Sequence, residues 1–343
     1  SDADTTDLDA AAAAITGVVS GSTFTLTTGV DNVVGTSGND TILGSNDVNG
    51  TGNITFNIGD IINGGAGTDT LVVANDASTL TLNAKTVTNV EHFKVVNGYE
   101  YFDTLNVNQK AFQTVTGDYA GTAQYDDLDI DGINGNTDLV VENVIAGGYG
   151  IERNDAGVYS TLTGSVTQNN TLRNIDYSVN DNYIWFANSS YFSAATELNL
   201  TTTVENVITG GDGNTGSDEG VYLYDYIDLT ADKATVNLTY NLKDVEQPGY
   251  YTEIDAYVEN EAAIANADVV NVEVNVDNVD GLYVYIDTNN SGVSSANDTF
   301  TLNVAAGGLA NTDGSNELYI DDFETINLTI DGNADIDLID AYY

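Results

Sequence analysis

Hydrophobic and polar residues alternate along most of this chain, and the alternation predicts strands. From Ser78 onward Val, Ile, Thr and Tyr take turns with polar residues, and Gly/Asn/Asp clusters separate the runs. That is the period-two pattern of β-strands divided by turns. Val221 to Leu229, VYLYDYIDL, sets Tyr222, Tyr224 and Tyr226 on one face and mostly aliphatic residues on the other, and Tyr283 and Tyr285 repeat the arrangement. A looser repeat links the runs: Val90-Glu91, Val141-Glu142, Val204-Glu205, Val272-Glu273 and Phe323-Glu324 each sit in an alternating stretch. Their spacing is too uneven for a strict solenoid and suits stacked β-layers with variable loops on one side. Helix signals are few. Ala10 to Ala14, behind Asp7 and Asp9, reads either as a short helix or as a flexible arm, and Val258 to Asp268 is one further short candidate.

Between Thr23 and Val73 the alternation gives way to a comb of nine-residue period. Gly64 to Val72, GGAGTDTLV, fits the nonapeptide G-G-x-G-x-D-x-U-x at every fixed position. Asp60 lies nine residues before Asp69, so Thr55 to Asn63 is a degenerate copy. Asp31 and Asp40 are again nine apart, and Gly35 to Leu43, GTSGNDTIL, lacks only the second glycine. In such a repeat the glycines free turn carbonyls to point inward, the Asp adds a carboxylate, and the last three residues form a strand. A single turn cannot surround a calcium ion, which takes roughly 6–8 oxygens, so neighbouring turns must stack and share it. The candidate ligands are Asp69 and Asp60 with the turn carbonyls at Gly64, Gly65 and Gly67, followed by Asp40 and Asp31.

The stretches Thr23 to Gly44 and Gly59 to Val73 resemble the repeats-in-toxin (RTX) proteins, and within them the calcium-dependent surface-layer and surface-adhesin proteins of Gram-negative bacteria. The resemblance covers roughly the first fifth of the chain. It implies a parallel β-roll, bound Ca2+, type I secretion and a place on the outside of the cell. A second stretch, Asp287 to Asp298, has the spacing of an EF-hand loop, with Asp287, Asn289 and Ser291 at positions one, three and five and Asp298 replacing the usual Glu at twelve. No helices are expected to flank it, so it reads either as a calcium loop between strands or as an Asn/Ser-rich turn satisfying its own backbone.

Composition sharpens this picture. Asp and Glu number 53 against 7 Lys and Arg, a formal net charge of −46. A chain so acidic repels itself, nucleic acid and anionic membrane surfaces, and its expected partners are cations. A halophile's acidic surface is the alternative account, and both can hold at once. Cysteine is absent, which excludes disulfides, thiolate catalysis and Cys-based zinc sites. The chain starts without Met and shows neither a basic n-region followed by an apolar h-region nor a membrane-length apolar run. The expectation is a processed form, an excised fragment, or cargo of a route without an N-terminal signal. No catalysis is expected: His92 is the sole histidine, in an apparent strand, and no Ser/His/Asp set or phosphate loop is visible, although glycosidase-type carboxylate pairs stay open among so many acids.

The resulting expectation is an all-β protein, an elongated, irregular, mostly parallel β-roll or β-solenoid with calcium-binding turns and few short helices. Residues 1–22 form an arm or linker, 23–75 the calcium-binding roll, 76–247 a β-rich lobe and 248–343 a second one, with Pro248 marking the boundary. The expected role is a secreted subunit that assembles with copies of itself into a surface layer or filament on the cell surface, without membrane insertion. The alternative is an adhesin whose Tyr-rich face holds a glycan or host partner, and a surface polysaccharide is a further candidate partner.

Overall fold

The computed structural model describes residues 20–46, 54–75, 79–83, 87–97, 104–108, 114–120, 128–135, 139–146, 154–162, 165–176, 184–192, 197–209, 220–229, 235–247, 251–260, 269–287, 298–310, 316–320 and 323–340. Among these, the regular structure is entirely β, and every strand pairing is parallel. The chain winds between two sheets. One has twelve strands, from Thr23–Thr25 at one edge to Thr325–Ile330 at the other; the second has ten, from Thr79–Asn83 to Ile336–Asp340. A third sheet of three short strands, Asn32–Val34, Ile61–Asn63 and Val87–Thr88, lies at the N-terminal end. The architecture is therefore all-β, as the alternation predicts, and it is the parallel, roll-like body expected of the chain.

Alternation decides which way each side chain points. In Thr235–Glu246 the residues Val236, Leu238, Tyr240 and Leu242 are buried while those between them are partly exposed, and Val221, Leu223 and Ile227 do the same in the second sheet. The two inward faces make one core. Burying a Val, Leu or Ile side chain stabilises by about 1.5–3 kcal/mol, so a one-residue slip of register would turn a whole strand's apolar set outward. Among the described residues five non-glycine positions take a left-handed backbone, four of them inside strands where they break the phase. Asn89, Asn174, Asn206, Asp244 and Asn278 have φ between 50° and 61°, a left-handed conformation that Asn and Asp tolerate better than bulkier residues. After the last four of these, Ile175, Val207, Val245 and Val279 turn back into the core.

Three expectations meet the structure here. The Val258 to Asp268 helix does not form at its start, where Val258 belongs to strand Thr252–Asn260 and is buried against the core; residues 261–268 and the Ala10 to Ala14 segment lie outside the described residues. A period-two strand extension outcompetes the helix because it buries Val258 in register with Ile227 of the strand before. Pro248 also lies outside the described residues, and both sheets run on past it, Thr235–Glu246 pairing with Val269–Val279 and Val221–Leu229 with Thr252–Asn260. The Val-Glu repeat turns out to mix two positions. Glu205 and Glu273 are exposed within strands, whereas Glu91 and Glu324 stand just before strands, where they bond to the backbone of the preceding coil.

Candidate metal centre

The nonapeptide turns stack directly. Strand Thr41–Asn46 pairs with Thr70–Asn75 and strand Asn32–Val34 with Ile61–Asn63, so the turn at Gly35 to Asp40 lies on the turn at Gly64 to Asp69. Asp40 thus neighbours Asp69, and Asp31 neighbours Asp60. The nine-residue partners Asp60 and Asp69 do not share a turn. Asp60 introduces a strand of the three-stranded sheet and Asp69 a strand of the twelve-stranded one, which places them at opposite edges of the coil.

The glycines are explained by how closely the turns approach. Gly65 and Gly67 have φ of 101° and 128°, where only glycine is relaxed, and a Cβ on them would lie 2.2 Å from the Thr36 carbonyl oxygen and 2.5 Å from that of Gly38. A Cβ on Gly64 would meet the Asn89 carbonyl oxygen at 1.9 Å and Asp69 Oδ2 at 2.6 Å.

Each Asp staples its turn to a neighbour. Asp40 Oδ1 accepts from the Ser22 amide at 2.6 Å and from the Thr36 hydroxyl at 2.9 Å, and Oδ2 accepts from the Thr36 amide at 2.5 Å. Asp69 Oδ1 accepts from the Asp40 amide at 2.7 Å, and Glu91 Oε2 from the Asp69 amide at 2.8 Å. At the other edge, Asp60 accepts from the Asp31 and Asn57 amides, and Asp31 from the Thr27 amide and hydroxyl. Starting from the Ser22 amide, Asp40, Asp69 and Glu91 therefore form a continuous carboxylate ladder just before three successive strands of the twelve-stranded sheet. Glu91 was not among the sequence candidates. The signal for it was its place immediately before an alternating run, the position Asp40 and Asp69 also hold.

One oxygen breaks the pattern: Asp69 Oδ2 is buried and has no hydrogen-bond partner. Burial pushes the Asp69 carboxyl above its ordinary pKa, against the pull of the Asp40 amide, and the negative charges of Glu91 and Asp40 push it further up. Burial pushes Asp40 up too, but hydrogen bonds from Ser22 and Thr36 outweigh it and hold that carboxyl below its ordinary value. Among the described residues no three acidic, histidine or cysteine side chains converge as a metal cluster, so a cation here would need backbone oxygens beside Asp69. The donor chemistry fits: a carboxylate oxygen without a donor and a turn rich in carbonyls are hard oxygen ligands suited to Ca2+.

The EF-hand-like loop fares differently. Asp287 ends strand Leu282–Asp287 of the ten-stranded sheet, Asn289 and Ser291 lie outside the described residues, and Asp298 opens a strand of the twelve-stranded sheet. Asp298 Oδ1 accepts from the Val270 amide at 2.8 Å, and its own amide donates to Glu324 at 2.7 Å. Asp298 therefore holds the same stapling position as Asp40 and Asp69. Compared with known proteins, the chain matches no family model, no curated protein and no solved structure.

Proposed function

We propose that the chain is a calcium-stabilised structural protein, secreted to the bacterial cell surface by a type I route, which assembles there with copies of itself without enzymatic activity. The observation that carries the calcium half of this reading is the buried, partnerless Oδ2 of Asp69 between the carboxylates of Asp40 and Glu91. Bound Ca2+ would supply the positive charge that this ladder lacks. The chain's own part is to hold the turns in register. The amides of Ser22, Asp40 and Asp69 fix three consecutive carboxylates, and the absence of side chains at Gly64, Gly65 and Gly67 lets the turns meet.

Support for assembly comes from the sheet edge. Strand Thr325–Ile330 leaves Leu328 51% and Ile330 47% exposed, in rows that bury Leu302 and Val304 one coil earlier. Such an edge accepts another parallel strand, from a further stretch of the same chain or from a second copy. Light scattering during a calcium titration tests the reading: large ordered particles are expected to appear with calcium and dissolve with chelator. Particles of monomer size at all calcium concentrations would remove the assembly half.

A further inference from the structure

The ten-stranded sheet carries an aromatic surface that the calcium turns do not use. Trp185 and Tyr222 stack with ring centroids 6.0 Å apart, and Tyr224, Tyr257, Tyr285 and Tyr319 continue across the strands at 5.6 to 6.4 Å. These rings alternate with carboxylates by register. One row reads Tyr222, Glu253, Tyr283, Glu317 on four successive strands, and the next reads Tyr224, Asp255, Tyr285, Tyr319. All eight side chains are partly exposed, so the rows form one outward face.

The two central acids are the unusual members. Glu253 and Asp255 accept no hydrogen bond from any described residue, although Glu317 has one from the Tyr319 hydroxyl at 3.1 Å. Among the described residues, every Lys, Arg and His lies in the twelve-stranded sheet, so no described cation on this face offsets them. Burial among the rings pushes Glu253 up to about 7, helped by the charge of Asp255, and pushes Asp255 up to about 6. Acceptors are thus half withdrawn from water and left without donors, between flat apolar rings.

We propose that this face binds a neutral, unbranched polysaccharide, whose rings lie on Tyr222, Tyr224, Tyr283 and Tyr285 and whose hydroxyls donate to Glu253 and Asp255. Sugar rings match both needs, with an apolar C–H face for stacking and vicinal hydroxyls as donors. An acidic polymer is repelled by Glu253, Asp255, Asp287 and Glu317. Spacing selects further. Tyr222 and Tyr283 are two strands apart, about 9.6 Å, close to the disaccharide repeat of an extended β-1,4-linked glycan. The proposal does not depend on the calcium reading.

The chain has one tryptophan, and Trp185 is 37% exposed beside these rows, so its fluorescence reports on this face alone. The experiment titrates the full chain with cellohexaose, with its curved α-1,4 counterpart maltohexaose, and with a β-1,4-linked hexauronate. Saturable change with cellohexaose is expected, several-fold weaker for maltohexaose and absent for the uronate. Tyr224→Ala should weaken binding about tenfold, and Glu253→Ala should do likewise, both with unchanged far-ultraviolet circular dichroism. Should either variant alter that spectrum, Tyr224→Leu and Glu253→Leu, which likewise remove the ring and the acceptor, replace them with the same expectation. No response to cellohexaose, equal response to the uronate, or undiminished affinity in the folded variants would overturn the proposal. So would a fluorescence change caused by oligolysine but not by cellohexaose, or one that follows protein concentration alone; the first assigns the face to a basic peptide and the second to another copy.

Discussion

Gly65 shows how little freedom the stacked turns leave at a single residue. Its φ of 101° and the 2.2 Å from a would-be Cβ to the Thr36 oxygen make two separate costs for any side chain. Gly65→Ala is expected to destabilise by roughly 2 kcal/mol or more, read as a shift of the denaturant midpoint. Gly29→Ala is the control: its Cβ would meet only the Thr27 hydroxyl at 3.6 Å, and its midpoint should stay within about 0.5 kcal/mol of wild type. A second residue-scale prediction concerns Glu253. Its folded pKa of about 7 lies above the ordinary carboxylate value because of burial and the Asp255 charge, so the folded state prefers the protonated form. That contribution is fully present below the unfolded pKa and is lost as pH rises through about 7. Glu253→Gln, which stays neutral, should therefore raise stability above pH 7 by roughly 1 kcal/mol after solvent screening of a half-exposed group, and leave it unchanged in acid. Equal effects at both pH values would refute the linkage. The nonapeptide made the glycine legible from sequence, whereas nothing in the strand around Glu253 marks it apart from the other outward acids until the rings of neighbouring coils are placed beside it.

Among the elements, coil-to-coil side-chain ladders add to the backbone pairing. Asn237 Nδ2 donates to Asn199 at 2.8 Å and Asn271 Nδ2 to Asn237 at 2.9 Å; Asn275 and Asn303 extend a second ladder from Asn241 at 3.0 and 2.9 Å. The partners are 28 to 38 residues apart. That variation explains why the alternation predicts strands well and the repeat poorly: each strand carries its own period of two, but the loops between coils differ in length, so no fixed period survives in the sequence. It also explains why the Val-Glu pairs read as one repeat and occupy two positions. The left-handed corners give the sharpest test at this scale. Asn278 has φ of 61° and donates to Asp244 at 2.8 Å, so Asn278→Gly removes only the hydrogen bond, costing about 1 kcal/mol. Asn278→Val should cost about 1 kcal/mol more, because a β-branched residue is strained there. Urea midpoints in the order wild type, Gly, Val check this, and a Val variant as stable as the Gly one would show that the corner relaxes.

Across the whole molecule the decisive quantity is charge. At neutral pH most of the 53 acidic residues are ionised, and the excess of 46 negative charges opposes compaction. The structure concentrates part of that charge. The stapling row places Asp40, Asp69 and Glu91 in successive coils, linked through backbone amides, and one Asp69 oxygen is buried without a donor. Distant surface charges and this row respond differently to ions. Monovalent salt screens the former, with a Debye length near 8 Å at physiological strength, but it supplies no fixed coordination between adjacent turns. A cation bound only by the folded state at 100-fold excess over its dissociation constant stabilises by about 2.7 kcal/mol per site, enough to decide the state of a marginal domain. Chelation is therefore expected to loosen the roll from Thr23 to Val73 even in ample sodium chloride, and calcium to restore it at concentrations where sodium does not. Amide hydrogen exchange resolves that segment from the rest: protection of the Asp40, Asp69 and Thr70 amides, which are bonded across the stack, should fall in chelator and recover with calcium. If molar sodium chloride alone restores their protection in chelator, screening accounts for the stability, and the acidic composition is that of a halophile's surface.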